Sequence, residues 1–146
     1  MASFSGFGTF RKPTAAYQQI GLSSDVTTAD PHRLILLLFE GADAALNTAS
    51  FCMKEGNIPG KGQAISKAIS IINDGLLASL DVDAGGELGE RLYSLYEYMV
   101  DRLLWANLKN DEATLKEVRN LLGTIHSAWR EIRPQVMAMN NVEGKK

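Results

Sequence analysis

The chain has 146 residues, 45% of them hydrophobic and 22% charged, with a formal net charge of −2. This length suits one domain whose core needs neither disulfides nor metal, and the composition is globular, not disordered. The slight acidic balance argues against a dedicated nucleic-acid binder, which carries a basic excess, and the single cysteine, Cys52, excludes an internal disulfide and favours a reducing compartment.

Residues 1–16 are rich in Gly, Ser and Phe, lack a helical period and read as a flexible tail. Phe4, Phe7 and Phe10 are interleaved with Gly and Ser, and no apolar h-region of a secretion signal follows. The longest apolar run, Leu34 to Phe39, is far short of the roughly 20 residues that span a bilayer. The expectation is a cytoplasmic protein without membrane insertion. Residues 17–29 mix apolar anchors with turn formers and are expected to lie against the domain, which spans 17–133.

Asp30 and Pro31 open the first predicted helix, because an aspartate accepts from free N–H groups of the first turn and proline suits the first helical position. Helix 1 runs to Glu55 and stops at Gly56. Helix 2 is predicted from Lys61 to Leu80. The linker Asp81–Gly86 holds the breaker Gly85-Gly86. Helix 3 follows from Glu87 to Lys109. Asn110 or Asp111 caps helix 4, which reaches Ile132 before Pro134 stops it. Residues 134–146 read as a disordered tail. Short connections make neighbours antiparallel, so the expected fold is all-α, an up-down-up-down four-helix bundle with an N-terminal covering segment.

Helix 2 carries one stripe, Ile65, Ile69, Ile72, Leu76 and Leu80, and helix 4 a similar seam, Leu115, Val118, Leu122, Ile125, Trp129 and Ile132. Helices 1 and 3 carry more. Helix 3 pairs Leu88, Leu92, Leu95, Met99, Leu103 and Ala106 with a second stripe of Tyr93, Tyr96, Val100 and Leu104 that ends at Asn107. Helix 1 pairs Leu34, Leu38, Ala45, Ala49 and Cys52 with Ile35, Phe39, Ala42, Leu46 and Met53. Either these helices are more central than the others, or the surplus forms a groove for a partner helix.

Chemistry is hard to find. A di-iron bundle needs Glu-x-x-His pairs, and no glutamate has one. Cys52 falls on a core stripe, and there is no phosphate loop, so neither metal nor cofactor is expected. His126 is the candidate nucleophile for a phosphotransfer bundle, without the Lys and Gly that would help such a site. A generic helical adaptor, or a homodimer built on the surplus stripes, is the other alternative to a groove.

The ordered pieces Thr27-Thr28-Ala29-Asp30-Pro31-His32-Arg33-Leu34-Ile35, Lys67-Ala68, Ile71-Ile72, Leu80-Asp81, Leu92-Tyr93-Ser94-Leu95-Tyr96-Glu97-Tyr98-Met99, Arg102-Leu103, Ala106-Asn107, Glu117-Val118, Leu121-Leu122 and Ala128-Trp129 resemble the flagellin-specific export chaperones of bacteria, the FliS family. The resemblance begins at Tyr17 and covers residues 17–132. It implies a non-enzymatic bundle that holds the disordered C-terminal region of flagellin, prevents premature polymerisation and delivers the subunit to the flagellar export gate, with a co-chaperone as a further candidate partner. On this resemblance Ile35, Phe39, Ala42 and Leu46 of helix 1, with Tyr96, Val100, Leu104 and Asn107 of helix 3, would line the binding groove. Tyr17 and Ile20 would belong to a removable cover.

Overall fold

A computed structural model describes residues 30–132. The tails 1–16 and 134–146, and the cover residues Tyr17 and Ile20, lie outside the described residues. Within them there are four helices and no strand.

Helix α1 spans Pro31–Glu55. The Asp30 carboxylate accepts from the Arg33 N–H at 2.7 Å, which satisfies one of the donors a helix start leaves open. Gly56 ends the helix at φ 72°, in the left-handed region that a Cβ disfavours. The Gly56 and Asn57 N–H groups then return to the carbonyls of Met53 and Cys52 at 3.3 and 2.9 Å.

Helix α2 spans Ile58–Ser70 and starts earlier than the predicted Lys61. The reason is a capping unit that reads in sequence as part of the turn. Asn57 accepts from the Gly60 N–H at 3.0 Å, and Pro59 sits in the first turn. From Ile71 to Leu77 the chain winds as a π-helix, not as the α-helix expected through Leu80. Its sequence explains the need. The stride Ile72, Leu76, Leu80 would drift by about 40° per step on an α-helix. A wider turn unwinds that drift, so Ile71, Ile72, Leu76, Ser79 and Leu80 all stay buried. Gly75 lets α1 come close: a Cβ there would lie 2.8 Å from Cδ2 of Leu38.

Helix α3 spans Val82–Lys109, broken at Gly86 (φ 60°, ψ −138°). The expected Asp81–Gly86 linker is therefore one helical turn followed by a glycine break. Asp81 caps that turn by accepting from the Ala84 N–H at 3.0 Å. The turn folds back onto Gly89, where a Cβ would meet the Val82 carbonyl oxygen at 3.2 Å. Asn110 closes α3 at φ 54°, and Asp111 caps α4, which spans Glu112–Glu131. Of the two residues expected to cap helix 4, Asp111 does so, and Asn110 instead ends α3.

Helix α1 packs against α2 and α4, and α3 against the same two, which places α1 and α3 on the diagonal of an antiparallel bundle. The largest fully buried side chains, among them Phe39, Leu46, Ile65, Ile72, Met99, Leu103 and Leu122, come from every helix and fill the middle. By length and composition α1 could span a membrane, but half of that window is buried inside the fold. Its apolar residues are the core.

Candidate protein-binding site

The diagonal arrangement decides where the eight groove candidates lie. Along most of their length the diagonal helices are kept apart by α2 and α4, so the two wide stripes meet only around one small cleft, between the α1 residues Ile35 and Phe39 and the α3 residues Leu92 and Tyr96. Ala42 and Leu46 have no exposed surface, and Ile35 and Phe39 are buried at 6% and 2%. The surplus on α1 is consumed by two neighbours at once. Tyr96 is also buried, and burial alone raises its pKa. With Ile35 and Phe39 it lines a small apolar cavity of about 40 Å³, shared with Leu80, Leu92 and Trp129.

The other three candidates lie elsewhere. Asn107 is the α3 residue at the edge of a shallow, open groove of about 570 Å³ that runs along α2. Its α2 wall is made by Pro59, Gly62, Gln63, Ser66, Lys67 and Ser70. Gly62, Ser66 and Ser70 recur every fourth residue, a low ridge that lets another backbone approach. On α3, Val100 and Leu104 share the flank of Asn107, within about 60° of it at 100° per residue. Val100 is half-buried, whereas Leu104 is 55% exposed and Leu108, one turn on, is 77% exposed. Leu108 was missed because it sits beyond the end of the predicted stripe.

The opposite flank of α3 is closed by polar groups. Tyr98 donates to Glu117, and Arg102 donates to Glu117 at 3.1 Å and to the Thr114 hydroxyl at 3.2 Å. Bonds from Tyr98 and then Arg102 hold the Glu117 carboxyl below its ordinary range, and bonds from Thr114 do so for Asp111. On α1, Ser50 and then Lys54 lower Glu112 in the same way. These carboxylates have lower folded than unfolded values. Their stabilisation is complete above the ordinary carboxylate range and is lost as pH falls through the depressed values. The urea midpoint is expected to drop between about pH 6 and about pH 3, and Glu117→Gln to flatten part of that drop; a parallel pH profile in the variant would refute the assignment.

The histidines are structural. The His126 ring stacks on Phe39 with centroids 5.4 Å apart, and the Arg130 guanidinium lies 3.2 Å from its Nε2. Burial, then the Arg130 charge, lowers its pKa. A ring covered on one face and crowded by a cation is badly placed as a phosphate acceptor. His32 is buried, stacks on Trp129 at 4.8 Å, and its Nε2 lies 2.6 Å from the Trp129 carbonyl, so that nitrogen carries the proton and donates. Trp129 Nε1 donates back to the His32 carbonyl at 3.1 Å. This clamp joins the start of α1 to the end of α4. No metal-binding cluster occurs among the described residues.

An all-α bundle with an open apolar flank and, among the described residues, no catalytic constellation fits a protein that binds another. The sequence model of the family described as flagellar protein FliS matches residues 13–136. The chain is 48% identical over 120 residues to the flagellar secretion chaperone FliS of Salmonella typhimurium, covering 82% of this chain and 89% of that one. It is 46% identical over 118 residues to the flagellar secretion chaperone FliSB of Pseudomonas aeruginosa, covering 81% and 93%. With the FliS of Bacillus subtilis the identity is 30% over 121 residues, covering 83% and 86%. The chain belongs to the FliS family. FliS proteins are chaperones and not enzymes, so this chain is a flagellar secretion chaperone and its partner a flagellar export substrate. Membership agrees with the resemblance carried by the α3 segment Leu92–Met99. That segment supplies the buried Tyr96 and, through Tyr98, the polar flank that locks α3 to α4.

Proposed function

We propose that this FliS-family chain holds the C-terminal region of flagellin in the bacterial cytoplasm, keeps it from polymerising early and releases it at the export gate. The observation that carries this reading is the exposed Leu104 and Leu108 beside the α2–α3 groove. An amphipathic helix could set its apolar stripe on Val100, Leu104 and Leu108 and its backbone along the Gly62–Ser66–Ser70 ridge. A disordered segment loses entropy on binding and must bury a large apolar area in return. At about 25 cal/mol per Å², on the order of 1,000 Å² would offset that ordering and leave an affinity moderate enough for release. The buried Ile35, Phe39 and Tyr96 are then the floor of a second, smaller contact, reached if residues such as Tyr17 and Ile20 move away. Ala42 and Leu46 support that floor from within the core.

The test is titration with a synthetic flagellin C-terminal peptide, followed by calorimetry and circular dichroism. Binding with a gain of helix is expected. A peptide that neither binds nor becomes helical contradicts the reading.

A further inference from the structure

We propose that Lys61 is a positioning residue for partner binding, its buried ammonium bolting together the two walls of the α2–α3 groove. This rests on the reading of that groove as the flagellin site. Lysine is among the residues least often fully buried, yet Lys61 is only 5% exposed. Its Nζ donates to the Asn107 carbonyl and to the Asn110 side-chain oxygen, each at 3.0 Å. The Asn107 carbonyl is one of the last four of α3 and has no partner within a continuing helix. That end also carries the negative pole of the helix, which favours a cation. Asn110 stands at φ 54° just past the helix. The same ammonium thus closes the end of α3 and ties it to the first turn of α2.

The position links this bond to the groove. Lys61 directly precedes Gly62 on one wall, and Asn107 lines the other. A leucine would suffice to fill space here. The charge adds a fixed distance between the walls, at the end where Leu104 and Leu108 are presented. Without it the last turn of α3 frays, and the apolar flank loses its orientation relative to the α2 ridge.

Lys61→Met keeps the stem and removes the ammonium. The full-length variant is expected to remain helical, to bind the flagellin peptide about tenfold more weakly, and to exchange amide hydrogens faster only near residues 105–110. Lys61→Arg should recover part of the affinity. Val118→Ala, in the core and away from the groove, serves as a control that loses stability without losing affinity. If Lys61→Met does not fold, Asn110→Gly carries the test, because glycine accepts the left-handed backbone; about threefold weaker binding is expected. Unchanged affinity in the folded Lys61→Met or in Asn110→Gly overturns the proposal. So does an equal loss in Val118→Ala, which would trace the effect to stability. A wild-type chain that ignores the peptide instead overturns the underlying flagellin reading.

Discussion

Leu104→Asp is expected to weaken binding of the flagellin C-terminal peptide by about a hundredfold, the loss of a central contact worth roughly 3 kcal/mol. The leucine is 55% exposed on α3, so the fold gains little from it. A partner helix lying on Val100, Leu104 and Leu108 would cover it. A carboxylate at that point would be buried without a counter-charge, which is costlier than the lost methyl groups. Circular dichroism should show unchanged helix content and melting temperature, while calorimetry shows the loss. Full affinity in the variant would remove Leu104 from the contact surface.

Phe39→Ala should behave in the opposite way. Phe39 is 2% exposed, packs within the core and stacks on His126. Removing a ring so enclosed leaves a cavity, at a cost of about 3–5 kcal/mol. For a domain whose total stability is only about 5–15 kcal/mol, that loss would show as a large fall in the urea midpoint at unchanged slope. Peptide affinity, measured below the melting transition, should fall much less than in Leu104→Asp. A midpoint shift worth under about 1 kcal/mol would mean that the neighbourhood collapses onto the gap. The two substitutions separate a residue whose main role is to build the bundle from one whose main role is to meet the partner.

The helix ends with strong local chemistry were legible in the sequence. Asp30-Pro31, Gly56 and Asp111 act through their own side chains or backbone within one turn, so no distant residue is needed to read them. The α4 seam was legible for a similar reason, since Leu115, Val118 and Leu122 repeat with the helical period and all are buried. The π segment was not. It answers a four-residue spacing of apolar groups and the approach of Leu38, a contact between helices that the local sequence does not contain. The early start of α2 was hidden because Asn57 and Pro59 signal a turn as readily as a cap.

The candidate site was half legible. Periodicity identifies which residues share a face, but it does not say which neighbour takes that face. The sequence therefore leaves the broad apolar surface of α1 open to two readings, a more central helix or a groove, and α2 and α4 cover most of it. On α3 the stripe from Tyr96 to Leu104 winds from the core to the surface, so its residues divide between a buried cavity and an open groove. Lys61 carried no signal at all, because a lysine at the start of a helix normally reads as a solvated charge.

The most direct measurement is a nuclear magnetic resonance titration of the isotope-labelled chain with the flagellin C-terminal peptide, reading backbone amide shifts along the four helices. A partner helix seated on the apolar flank would shift residues of the α2 ridge from Pro59 to Ser70 and of α3 from Val100 to Leu108. Amides on the α1–α4 face, around Asp43, Lys54 and Arg119, would change little. Shifts concentrated on that α1–α4 face, with α2 and α3 unmoved, would contradict the account.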